Sequence, residues 1–195
     1  IDMTFSMPKS ASVMALVVGD KRILEANLRA VVATMKYAER NFAEARNYER
    51  NRNGEPEKTG NLVYALFAHD TSRALDPQGH IHAVVANLTQ TKDGTWKALW
   101  NEKLWQNNTT IGQVYHAALR AELQKLGYEL TPAGKHGTFE IKGVPKAVND
   151  EFSTRREEIL TAEKERSWMT PEGRDRLAIT TRDEKISVED RGALL

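Results

Sequence analysis

The sequence predicts an α+β fold: an antiparallel-dominated central sheet, long helices packed on it, and a helical C-terminal arm. Three observations lead there. Short apolar segments with strand character are joined by hairpin-type turns. Two long stretches repeat apolar residues every three and four positions. Beyond Trp168 the chain turns charged and keeps only a thin apolar stripe.

The chain opens with strand-like alternation over 1–6. It has no initiator Met and no lead-in, so residues preceding Ile1 are expected to have been lost, cut or not included. Ser10 is placed to cap a helix over 11–18, which Gly19 and Asp20 break. From 21 to about 48, Ile23, Leu24, Leu28, Val31, Val32 and Met35 form one apolar stripe of a long helix. Gly54 and Pro56 mark a loop. A strand over 61–68, a polar turn at 76–79, a strand over 80–89, the Asp93-Gly94 turn and a strand over 95–99 read as three consecutive strands of a meander. The second long helix covers 109–126 and stops at Gly127. Short strands at 128–131 and 138–141 flank a turn at 134–137. Pro145 opens a further helix that runs through Phe152 and Ile159 towards Arg166. The domain reading is 1–166, with 167–195 an arm lying on the domain or on a partner, or a linker to a following domain.

The 195 residues suit one domain, with 40% hydrophobic residues to build a core. There is no Cys, which excludes disulfides and thiolate ligands. No apolar run approaches the ~20 residues of a membrane-spanning helix. The net charge of +1 gives no bulk argument for nucleic-acid binding, so any such surface must be local.

Three of the five histidines lie between positions 69 and 82. His80 and His82 are two apart, so on a strand both imidazoles leave the same face. If the flanking segments pair as a hairpin, His69 joins them. Three neutral imidazoles suit Zn, Mn, Fe, Co or Ni, and three protein ligands leave positions open for water or substrate oxygen. The competing reading is three separate polar residues at strand ends. Histidine ligands usually have a carboxylate or carbonyl behind the other ring nitrogen. Asp70 is adjacent in sequence but points the opposite way on a strand. Asp2 fits if the first strand lies beside the His80–His82 strand; otherwise it is a solvated strand-end carboxylate. A His-x-His strand with a third His is also the cupin arrangement, against which the two long helical patterns argue.

Four blocks, Asp2 through Ser10, Thr59 through Val63, His69 through Arg73 and His80 through Asn87, resemble the conjugative relaxases of the F-plasmid and TrwC type, within the HUH superfamily of DNA-nicking enzymes. The likeness runs to about Ile159 and takes in Gly127-Tyr128 and the turn 134–137. It implies site- and strand-specific nicking and religation of single-stranded DNA at a plasmid origin of transfer, through a tyrosine that becomes a 5′-phosphotyrosine. It implies one divalent metal ion (Mg, Mn or Zn) on His69, His80 and His82, with Asp2 behind one of them, His82 being the expected one. It also implies relaxosome accessory proteins, a secretion coupling protein, a following helicase domain, a monomer in the bacterial cytoplasm, and transfer with the DNA to the recipient.

Tyr37, Tyr48, Tyr64, Tyr115 and Tyr128 match no nucleophile position of that family. The nucleophile is therefore expected in a segment upstream of Ile1, and the chain alone is expected to bind metal and DNA without forming an adduct. Arg73, on the turn beside the histidines, is the favoured DNA contact, with Lys9 after it and Arg155 and Arg156 on the late helix. For each, a surface salt bridge or solvated face is the competing reading. Two alternative functions remain from sequence: a non-catalytic metal-containing single-strand-binding module, and a cupin-like small-molecule metalloenzyme.

Overall fold

The computed structural model describes residues 1–46 and 54–154. Arg155, Arg156 and the arm at 167–195 lie outside the described residues, as does the boundary at 166.

The site is carried by a three-stranded antiparallel sheet of order β1-β5-β4, with β1 at Asp2–Ser6, β4 at Tyr64–Thr71 and β5 at Pro77–Val85. β5 is central because it is apolar on one face along its whole length: Gly79, Ile81, Ala83 and Val85 are buried. Its other face carries Gln78, His80, His82 and Val84. The register sets Thr4 and Phe67 opposite His82, and His69 opposite His80.

Helices cover the buried face. α1 spans Lys9–Leu16 and α2 spans Arg22–Phe42. A short α3, Glu102–Gln106, leads into α4, Asn108–Lys125, and α2 packs along α4. Phe5, Ile81, Ala83 and Val85 from the sheet meet Ala11, Ala15, Val31, Met35, Ile111 and Leu119 from the helices in one core. At ~25 cal/mol per Å² of apolar surface removed from water, this shared burial is what holds the sheet against the helices.

Several expectations from sequence are corrected. Pro8 is the N-cap of α1, and Ser10 sits inside the helix. The Ser10 hydroxyl is needed elsewhere: it donates to Glu140 and accepts from the Ile141 amide at 2.7 Å. α2 ends at Phe42, six residues short of its expected end, because 44–46 turn into a strand, β2 (Glu44–Arg46). β2 pairs with β3 (Pro56–Lys58) and β8 (Leu99–Trp100) in a separate three-stranded sheet. The meander does not form. Thr89–Gln90 (β6) and Trp96–Lys97 (β7) make a two-stranded hairpin of their own, and β1 takes the place beside β5. β9 (Leu130–Pro132) and β10 (Phe139–Ile141) pair as expected, and Pro145 caps α5, Lys146–Glu151.

Candidate metal centre and nucleic-acid interface

The β4–β5 hairpin is joined by a tight loop over 72–76. The Ser72 amide donates to the Asp76 carbonyl at 2.8 Å, and the Asp76 amide donates to the Ser72 hydroxyl at 3.1 Å. Directly after the loop the register slips: Gln78 and Gly79 of β5 together face Asp70 of β4. Such a bulge bends a strand and re-aims the side chains that follow it. Here the next side chain is His80. A Cβ at Gly79 would meet the terminal methyl of the buried Met7 side chain at 2.0 Å, so a larger residue at the bulge must displace that side chain.

The hairpin and bulge bring His69, His80 and His82 into an almost equilateral triangle. Ring centroids are 5.2 Å apart for His69–His80, 5.1 Å for His69–His82 and 5.2 Å for His80–His82. Nitrogens ~2.1 Å from one ion at tetrahedral angles set imidazole centroids about 5 Å apart. Among the described residues no three His, Cys, Asp or Glu groups qualify as a ready-made metal cluster. The centroid spacing carries more weight, because rotation about χ2 of an imidazole redirects its nitrogens at small cost.

Two rings are already oriented. His82 Nδ1 lies 2.9 Å from both carboxylate oxygens of Asp2 and 3.2 Å from the Thr4 hydroxyl. His80 Nδ1 lies 2.8 Å from the Gln78 carbonyl. With Nδ1–H donating in both, Nε2 is left as the lone-pair nitrogen, the form a metal takes. The donor set thus fits a divalent cation: three imidazoles, two of them held through Nδ1, with the Asp2 carboxylate behind one. Sequence reasoning named Asp2 but missed Thr4 and the Gln78 carbonyl. Thr4 shares the face of Asp2 by strand period, yet only the β1–β5 register shows that this face meets His82.

Of the four expected DNA contacts, Arg73 and Lys9 lie among the described residues. Arg73 is exposed at the tip of the hairpin loop, with no ion pair among the described residues. Lys9 is half-buried, its ammonium donates to the Pro77 carbonyl at 3.1 Å, and desolvation lowers its pKa despite the nearby Asp76 and Glu140 carboxylates. Beside β1 runs a groove of about 490 Å³ whose lining includes Asp2, Thr4, Leu104, Trp105, Ile111 and Tyr115. Trp105 is exposed on its wall, Trp96 is exposed on β7, and Trp100 lies under the Arg46 guanidinium at 3.5 Å.

The tyrosines among the described residues are engaged away from the triangle. Tyr115 is buried and its hydroxyl donates to Asn27 at 2.7 Å; Tyr128 donates to Asp20 at 2.7 Å. Tyr37 packs edge-on against Phe42. Tyr64 starts β4, five residues from His69 and about 17 Å along the strand. His116, on α4, is half-buried with its pKa lowered by desolvation and by Arg120; His136 sits in the 134–137 turn with φ 58°.

The family model for TrwC relaxase matches residues 1–195. The chain belongs to the TrwC relaxase family. The multifunctional conjugation protein TraI of Escherichia coli is 41% identical to this relaxase chain over 197 residues, 96% of the chain and 11% of TraI. The chain thus spans about a tenth of the length of the curated relatives it matches. Among solved structures, TrwC complexed with a 27-mer DNA comprising the recognition hairpin and the cleavage site shares 42% identity with a TM-score of 0.91, over 99% of this relaxase chain and 69% of that one. A metal-bound TrwC in complex with oriT DNA gives a TM-score of 0.89 at the same 42% identity, covering 99% and 67%. The α+β expectation and the relaxase resemblance are both borne out by these likenesses.

Proposed function

We propose that this chain is the metal-holding part of a relaxase that nicks and religates one strand of DNA at a plasmid origin of transfer. The observation that carries the reading is the His69–His80–His82 triangle on an open sheet face, with Asp2 behind His82. His69, His80 and His82 would hold one divalent ion (Mg, Mn or Zn), which would supply Lewis-acid polarisation of the scissile phosphate.

The remaining work belongs to the protein's own groups. Asp2 and Thr4 hold the His82 ring, and the Gln78 carbonyl holds that of His80, so Nε2 of each would be left to take an ion. The open face lets a single strand lie across the hairpin, and Arg73 at the loop tip meets its phosphates. The nucleophile is a tyrosine outside the residues described, a reading supported by the contacts of Tyr37, Tyr115 and Tyr128 and by the distance of Tyr64 from the triangle. Its oxygen bonds to phosphorus, the bond from phosphorus to the 3′ oxygen breaks, and the leaving 3′ oxygen takes up a proton. The phosphate ester stays on the enzyme, so the reverse attack by a 3′ hydroxyl religates the strand without an energy source.

This reading includes Arg155 and Arg156 as further phosphate contacts, a domain over 1–166 with an arm over 167–195, and a monomer. It also includes relaxosome accessory proteins, a coupling protein and a following helicase, in a bacterial cytoplasmic protein that travels with the DNA. No helix among the described residues is long and apolar enough to cross a membrane. No observation favours the binding-module reading over nicking, and a helix-backed three-stranded sheet is not a cupin jelly roll.

The test uses the full-length protein and a labelled origin oligonucleotide. A covalent adduct is expected, lost on chelation, restored by added Mn²⁺ or Mg²⁺, and reduced at least about 100-fold by His80→Ala. Tight binding without any cleavage would support the non-catalytic module. Adduct formation indifferent to chelator and to His80→Ala would remove the metal from the reaction.

A further inference from the structure

The open face of the β1-β5-β4 sheet is polar along most of its length, bearing Asp2, Thr4 and Ser6 on β1 and Gln78, His80 and His82 on β5. Phe67 breaks this pattern. It lies directly opposite His82 in the antiparallel register and is 52% exposed, and Val84 on the same face is 42% exposed. Residues opposite one another in such a pair have Cβ atoms ~5 Å apart. The diagonal that brings His69 against His82 places Phe67 towards Val84, so the two form one apolar step bordering the histidine triangle. Phe67 makes no ring–ring contact among the described residues, whereas His69, His80 and His82 all do. An aromatic ring half in water, on a strand otherwise fixed by pairing on β5, is not explained by the core, which lies on the opposite face.

We propose that Phe67 is the stacking platform for one base beside the scissile phosphate, with Val84 supporting the edge of that base. The inference rests on the nicking reading and adds to it a named contact to the substrate. A strand whose phosphate is held at the triangle must place the flanking base within one nucleotide's reach. Phe67, paired directly opposite His82, offers an exposed flat apolar surface there, and aromatic–base stacking tolerates any base because each has a π-face. Continuity with the triangle is what selects a nucleotide as the occupant of this step. The consequence is positional: stacking unstacks that base from its neighbour and presents the phosphate between them to in-line attack.

The experiment is a cycle in the full-length protein between Phe67→Ala and single abasic nucleotides placed in turn on either side of the cleavage site. Adduct formation is read in single turnover and binding by anisotropy. Phe67→Ala is expected to weaken binding or slow adduct formation about tenfold on the intact oligonucleotide. On the oligonucleotide abasic at one flanking position, the wild type is expected to show the same loss and the substitution to add nothing. Phe67→Trp is expected to restore wild-type behaviour, and 2-aminopurine at that position to brighten with Phe67→Ala. Equal losses on every abasic oligonucleotide would overturn the proposal and assign Phe67 to packing against another part of the protein. No effect of Phe67→Ala would overturn it as well. A wild-type protein that cuts none of the oligonucleotides would instead sink the nicking reading itself.

Discussion

Asp2 bears on the candidate site more directly than any other single residue, because both of its carboxylate oxygens lie 2.9 Å from His82 Nδ1. Removing such a carboxylate frees the ring to rotate and to exchange tautomers. Asp2→Ala is therefore expected to weaken divalent-metal affinity about 10- to 100-fold while the fold survives, as measured by calorimetry against a competing chelator. Unchanged affinity would show that Thr4 alone orients His82. The histidines were legible in the sequence because the strand period of two is strict. The role of Asp2 was legible only conditionally, since it depends on which strand lies next to β5. The Lys9 ammonium donates to a carbonyl 68 positions away, a contact too distant in sequence for residue type to reveal.

Among the elements, the bulge at Gln78 and Gly79 has the largest effect. It sits immediately before His80 and is pinned by the Gly79 amide donating to the Ser12 hydroxyl at 3.1 Å and by the Met7 amide donating to the Gly79 carbonyl at 3.0 Å. Gly79→Ala must displace the Met7 side chain, which is buried. Overpacking of this kind costs ~1–3 kcal/mol. A loss of that size in urea unfolding, together with weaker metal binding, is the expected outcome. Stability equal to wild type would show that Met7 yields freely. The hairpin of β4 and β5 was readable from the turn and the paired histidines. The meander was misread for a physical reason: the apolar run over 83–86 marks a strand inside a sheet without naming its neighbours. The pairing partner, β1, lies some 80 residues away, and turn chemistry carries no information about contacts of that range. The β3-β2-β8 sheet was hidden in the same way, because its three-residue strands are too short to show a period.

At the scale of the molecule, long-range polar contacts lock the helical layer. Tyr115 on α4 reaches Asn27 on α2, and Tyr128 reaches Asp20 in the turn between α1 and α2. Asp20 accepts from Arg22 and from Tyr128, and these bonds hold its carboxyl well below the usual carboxylate range. A depressed folded pKa stabilises the protein above the unfolded value, ordinarily 3.8, and that contribution is lost as pH falls from there towards the folded value. The urea midpoint is expected to fall as the medium is acidified below pH ~4. Asp20→Asn is expected to lower it at neutral pH and to flatten that acid decline; an unaltered acid slope would place the proton uptake elsewhere. Helix pairing of this kind followed from the apolar stripes, whereas the polar locks did not, since each joins residues about 90 to 110 positions apart. One consequence follows from the layout of the sheet. Asp2 and Thr4 both belong to β1, which among the described residues is the outer strand of its sheet and borders a groove. A cation taken by His82 would therefore be coupled to the seating of that strand: whatever presses β1 against β5 would tighten the grip on the ion, and reciprocally the ion would staple the margin of the sheet.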